Sequence, residues 1–164
     1  ADVSFVGTLV PQKLYSERVA ALNALRAYRL GIWSVHEVPD SLRPYLRGYA
    51  LGERMMRVLS AATISLNVHG DFMRYGGNMR LFEAAAMGAF QIVDDRPGVS
   101  TWFQVGEHLL TYRDHDELRR LVDYYLSPDH VHERQAIGQA AREHVLAQHT
   151  YDQRLNALET LLNA

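Results

Sequence analysis

Residues 63–93 decide the fold. Thr63-Ile64-Ser65-Leu66-Asn67-Val68 is a short apolar, β-branched run, and His69-Gly70-Asp71-Phe72-Met73-Arg74-Tyr75-Gly76-Gly77 is a polar, glycine-bearing loop. Asn78-Met79-Arg80-Leu81-Phe82-Glu83-Ala84-Ala85-Ala86-Met87 then reads as a helix closed by Gly88, and Phe90-Gln91-Ile92-Val93 is apolar again. Strand, glycine loop, helix and strand in that order predict a βαβ unit with parallel strands.

Working outward, the same alternation repeats. Val3 to Leu9 reads as a buried strand running into a loop at Gly7. Ser16 opens a helix with Val19, Leu22, Leu25 and Tyr28 along one stripe, and Gly31 stands where a glycine after a helix end belongs. Ile32 to Val35 predicts a second strand, Asp40 to Leu46 a helical turn, Leu46 to Ala50 an edge strand, and Glu53 to Ser60 a helix with Met56 and Leu59 inward. Past Val93, Arg96-Pro97-Gly98 turns the chain and His108 to Tyr112 is a short strand. Asp114 with Glu117 predicts a capping box for a helix to Leu126, Pro128 starts a helix to Gln148, and Thr150 with Gln153 predicts a second box for a helix through Leu162. The expected fold is α/β: a single domain with a doubly wound, Rossmann-like, mostly parallel sheet and helices on both faces. Ligands of such sheets bind beyond the carboxyl ends of the strands, here the loops after Leu9, Val35, Val68 and Val93.

Composition removes several function classes. The 164 residues are 48% apolar and 22% charged, as in soluble globular domains. There is no cysteine, so no disulfide framework, no cysteine zinc site and no thiol nucleophile; this fits a reducing compartment, and a cytoplasmic setting is expected. No apolar run is long enough for a transmembrane segment, and no leader peptide is visible. The chain opens on Ala1 and enters a strand at once, which reads as a piece cut from a longer protein. A net charge of -2 without a basic stripe argues against nucleic acid as a partner.

The loop before Asn78 admits two readings. Paired glycines and a helix start suit an anion such as phosphate, or the glycines only make a turn. Glu83 sits in a helix that is apolar or small nearly all round; ribose hydroxyls or a salt bridge with Arg80 would satisfy it. Gly7-Thr8-Leu9-Val10-Pro11-Gln12-Lys13 lacks the spacing of a phosphate-binding fingerprint and reads as a plain loop. His69 with Asp71, the group His115, Asp116 and Glu117, and His130 with His132 are the metal candidates; none makes a metalloprotease-type pair, and no metal is expected. His144 and His149 read as solvated, and Trp33 and Trp102 as core or pocket wall. No Gly-x-Ser-x-Gly elbow supports a hydrolase.

Asn78 to Ala89 resembles the donor-binding motif of group 1, retaining, GT-B-fold glycosyltransferases, especially their bacterial CgeB-like branch. Phe5-Val6-Gly7-Thr8 is similar to that family's first strand and glycine turn, Leu46-Arg47-Gly48-Tyr49 to its edge strand, and Leu59 to Asn67 to the helix end and strand before the motif. The resemblance implies that Glu83 binds ribose hydroxyls and that Gly76, Gly77 and the amides of Asn78 and Met79 cradle a diphosphate. It implies that Gly7, Thr8 and Lys13 face the phosphates, that backbone near Arg47 and Gly48 contacts the base, and that Arg80 is a phosphate partner by placement. Tyr75 stands where many members carry a second, sugar-contacting glutamate, so that contact does not carry over. The implied role is the C-terminal, nucleotide-sugar-binding half of a two-half enzyme. Its donor is a nucleoside diphosphate sugar, it has no other cofactor, and its catalytic residues are not identified. The partner would be an N-terminal acceptor domain of the same chain, absent from residues 1–164, so that this half binds donor without completing the chemistry. The rival expectation is a non-catalytic, flavodoxin-like binding or signalling module. That would call for an acidic cluster or phosphoacceptor where Gly7-Thr8 stand.

Overall fold

The computed structural model describes residues 1–163. Five strands form one wholly parallel sheet: β1 (Val3–Val6), β2 (Leu30–Trp33), β3 (Ile64–Asn67), β4 (Gln91–Asp94) and β5 (Leu110–Tyr112). Their order is β2-β1-β3-β4-β5, so the chain winds outward in both directions from the β1–β3 boundary. Side chains alternate along each strand and are buried on both faces, as a parallel sheet covered by helices requires. Val3, Phe5, Ile64, Leu66 and Ile92 meet α1 (Ser16–Ala24) and α5 (His115–Leu126) through Val19, Leu22, Leu118 and Val122. Val6 and Val93 face the other side, covered by α2 (Gly52–Ala61) and α3 (Met79–Ala86). The α/β, doubly wound expectation therefore holds.

Beyond β4 come the short α4 (Val99–Trp102), then α5, α6 (Val131–Gln148) and α7 (Tyr151–Leu162). Helix α6 lies on α3 at a glycine: a Cβ on Gly138 would stand 2.4 Å from the Gly88 carbonyl oxygen. No helix among the described residues is long and apolar enough to cross a membrane.

Several local expectations need correction. Gly31 lies inside β2; α1 already ends at Ala24, and the Tyr28 amide turns back on Leu25. Leu46 to Gly48 lies along β2 through two hydrogen bonds, Arg47 N–H to Ile32 and Ser34 N–H to Gly48, and makes an isolated bridge rather than a strand. Met55, not Met56, joins Leu59 inward, because i and i+4 share a helix face. Asp114 caps α5, but Glu117 accepts from the Arg113 amide one residue earlier, so that box is half formed. The Thr150–Gln153 box is complete. Pro128–His130 is a separate 3-10 turn before α6.

Candidate functional site

The carboxyl ends of β1 and β3 meet where the winding reverses, and the loop 69–77 delivers α3 there. Asn78 caps α3: its Oδ1 accepts from the Leu81 amide at 3.1 Å. Its side-chain amide also pairs reciprocally with Asn67 at the end of β3, at 2.9 and 3.1 Å. The helix start is thereby fixed to the strand end. The amides of Asn78, Met79 and Arg80 find no acceptor among the described residues, so they stand open at the positive end of the helix dipole.

Gly76 and Gly77 have φ of +101° and +92°, a region that favours glycine. Their own amides are taken, Gly76 by the Met73 carbonyl and Gly77 by His69 Nε2 at 3.0 Å. They shape the loop rather than donate from it. The wall around them is close: a Cβ on Gly77 would stand 2.5 Å from the Trp102 ring, and one on Gly76 2.9 Å from the Arg96 Cβ.

His69 is the post behind this loop, and it is wholly buried. Its Nδ1 lies 2.7 Å from Asp94 Oδ1, and its backbone amide donates to the same oxygen at 2.9 Å. Arg96 Nε donates to Asp94 Oδ2 at 2.7 Å. Burial alone would raise the Asp94 carboxyl, but the bonds from His69 and Arg96 hold it below the usual carboxylate range. Asp71, paired with His69 in the metal reading, instead caps α1 across the loop, accepting from the Ser16 and Glu17 amides at 2.8 and 3.2 Å. No group of three or more His, Asp or Glu placed to hold a metal occurs among the described residues.

Two arginines stitch the strand ends together. Arg80 Nε reaches the Val6 carbonyl at 3.3 Å and its Nη1 donates to Glu83 Oε2 at 2.6 Å. The salt bridge offered as one reading of Glu83 is therefore present, while Glu83 Oε1 has no partner among the described residues. Arg18 donates from Nε to the Val68 carbonyl at 2.7 Å and from Nη1 to that of Thr8 at 2.9 Å. Burial lowers the pKa of both guanidiniums, which stay charged.

Of the residues expected from sequence, Gly7, Thr8, Gly76, Gly77, Asn78, Met79, Arg80 and Glu83 lie on elements that these bonds tie together. Tyr75 is largely exposed; its hydroxyl bonds Thr101 Oγ1 at 3.0 Å and its ring meets the Trp102 edge. Arg47 and Gly48 lie beyond β2 at the sheet edge. Lys13 is exposed in the 3-10 turn Gln12–Leu14, with no ion pair among the described residues. Sequence reasoning missed Arg18, Asp94 and Arg96, and gave His69 only a metal role. An aspartate at the end of an apolar strand, two residues before an arginine, was the available signal. His144 and His149 are not solvated: His144 stacks on His108 at 4.3 Å and reaches the Trp102 carbonyl, while His149 packs on Phe82.

A family described as Glycosyl transferase-like matches residues 15–160. The chain belongs to this glycosyl transferase-like family. No curated protein matches it. Among solved structures, sucrose-phosphate synthase from Thermosynechococcus elongatus superposes with a TM-score of 0.73 at 17% identity, over 98% of this chain and 44% of that one. HepE from Anabaena, in complex with UDP, gives 0.70 at 13% identity over 99% and 48%. TarM gives 0.70 at 15% identity over 99% and 35%. At these identities the likeness is one of fold, and the glycosyl transferase-like chain spans between about a third and a half of their length.

Proposed function

We propose that the chain is the nucleotide-sugar-binding half of a GT-B glycosyltransferase, C-terminal in its parent, with an N-terminal acceptor half completing the cleft. The observation that carries this reading is the open start of α3, with three unpartnered amides at the point where the sheet reverses. A diphosphate there would accept from Asn78, Met79 and Arg80. The charges of Arg18 and Arg80 lie beside it. Glu83 Oε1 is the acceptor left for ribose hydroxyls, its other oxygen being held by Arg80. In the parent, helix-end donors and arginine charge would stabilise the departing diphosphate, an electrostatic role that needs no metal. Family membership and the UDP bound by HepE support a uridine nucleotide as first probe. Retention at the transferred sugar and a bacterial, cytoplasmic setting are part of the same proposal.

The test is titration with UDP and its 2′-deoxy analogue, using wild type and Glu83→Gln. A charge-assisted hydrogen bond is worth roughly 1.5–3 kcal/mol, so Glu83→Gln should weaken UDP about 10- to 100-fold and the deoxy analogue less. Equal ribo-to-deoxy ratios in the two proteins would remove Glu83 from the ribose. Robust sugar transfer by this chain alone would refute the two-half reading.

A further inference from the structure

On the far side of the His69–Asp94–Arg96 wall lies a pocket of about 440 Å³ that the nucleotide reading leaves unused. Its floor is the carboxyl edge of the sheet, with Val68, Asp94 and Tyr112 following or ending β3, β4 and β5. Glu17 from the first turn of α1 and Asp114 and His115 at the start of α5 enclose it, and the size suits a small organic ligand.

Tyr112 points to a ligand. It is only 5% exposed and its ring packs in the core, yet its hydroxyl has no hydrogen-bond partner among the described residues. The ring is buried while the hydroxyl opens onto the pocket, so a ligand there can take up its free hydrogen bond. Burial, then the charges of Asp94 and Glu17, raise its pKa far above neutrality, so the group is a fixed O–H donor. The other free groups there are the carboxylates of Glu17 and Asp95, the His115 ring and the outer nitrogens of Arg96; Asp94 and Asp114 are already engaged.

Four carboxylates face two guanidiniums around the pocket, which disfavours a phosphate. No metal-binding trio is present among the described residues, which leaves no ready cation cage. Donors and acceptors lining one pocket suit adjacent hydroxyl groups, each of which gives and takes one hydrogen bond. We propose that this pocket binds a neutral sugar unit, independently of the nucleotide. The choice of sugar rests on the glycosyl-transfer reading; the pocket and its unpartnered phenol do not.

Ligand-observed NMR titrations with D-glucose, N-acetylglucosamine and glucosamine, on wild type and Tyr112→Phe, test this. A neutral sugar should bind wild type and lose about 2- to 10-fold in Tyr112→Phe, the worth of one uncharged hydrogen bond. The variant should melt at the same temperature or higher, because it loses only an unpartnered hydroxyl. Asp95→Asn should weaken the same sugar. No neutral-sugar binding, equal binding by both proteins, a preference for cationic glucosamine, or a Tyr112→Phe loss seen only with UDP-glucose would each overturn the proposal. UDP titration of wild type separates the two readings: UDP binding without sugar binding refutes the pocket alone, and sugar binding without UDP binding refutes only the nucleotide reading.

Discussion

His69 Nε2 accepts the Gly77 amide hydrogen at 3.0 Å, from a ring with no solvent exposure. An acceptor at Nε2 requires the hydrogen at Nδ1, which donates to Asp94. The neutral tautomer thus connects the glycine loop, through one ring, to the end of β4 and to Arg96. Loop shape and α3 direction depend on a buried polar chain rather than on the glycines alone.

His69→Leu keeps bulk and removes both bonds. Asp94 loses the ring donor, keeping the backbone amide of residue 69 and Arg96, and the Gly77 amide loses its acceptor. A hydrogen bond to a charged group is worth roughly 1.5–3 kcal/mol and a buried amide left without its acceptor adds to that, so the urea midpoint should fall and UDP affinity with it. A loss below about 1 kcal/mol would show that the loop holds itself without the ring.

Asp94 sets an acid limit. Its carboxyl is held below the usual range, so its contribution is complete above about pH 4 and disappears as pH falls through the lowered folded value. Urea unfolding of wild type should therefore weaken from about pH 4 downward. Asp94→Asn should be less stable at pH 7 but should decline less over that acid range. Parallel pH profiles in the two proteins would contradict this assignment.

Gly77 and Gly48 form an internal comparison, with φ of +92° and +101° but different surroundings. A Cβ at Gly48 meets nothing within 4 Å, whereas one at Gly77 meets Trp102 at 2.5 Å. Both alanine variants should lose about 1–3 kcal/mol to backbone strain. Gly77→Ala should lose more, and Trp102→Leu should narrow the gap. Equal chemical-denaturation midpoints would show that the ring yields freely.

The sheet, its parallel sense and the strand ends at its carboxyl edge were legible because buried parallel strands and their glycine-closed helices leave a period and a punctuation. The Asn78 helix start was legible for the same reason. Gly31 misled because a glycine inside a buried edge strand carries the same letter as one ending a helix. Arg18 was invisible because its helix position resembles any solvated arginine; only the fold brings the Thr8 and Val68 carbonyls, 10 and 50 residues away in sequence, onto one guanidinium. The His69–Asp94 pair spans 25 residues, and no local spacing announces it.

Arg18 gives the sharpest test of how the two loops cooperate. Its planar fork serves two carbonyls at once, Val68 at 2.7 Å and Thr8 at 2.9 Å, while the same guanidinium lies over the Tyr15 ring. A lysine offers one compact ammonium and does not reproduce two divergent bonds. Arg18→Met keeps the stem and abandons both carbonyls. With charged hydrogen bonds worth roughly 1.5–3 kcal/mol each, Arg18→Met should destabilise by a few kcal/mol and Arg18→Lys by less. Hydrogen exchange should rise in both the 7–15 and the 68–77 segments of the methionine variant, and not in α6. UDP should bind that variant about tenfold or more weakly, since the open amides of α3 lose their fixed relation to the first loop. If exchange rises in only one segment, Arg18 supports that loop alone. If stability falls while both segments stay protected and UDP binds as before, its contribution is to packing, and the two loops are held together by the Asp71 amide on the Leu14 carbonyl at 3.0 Å instead.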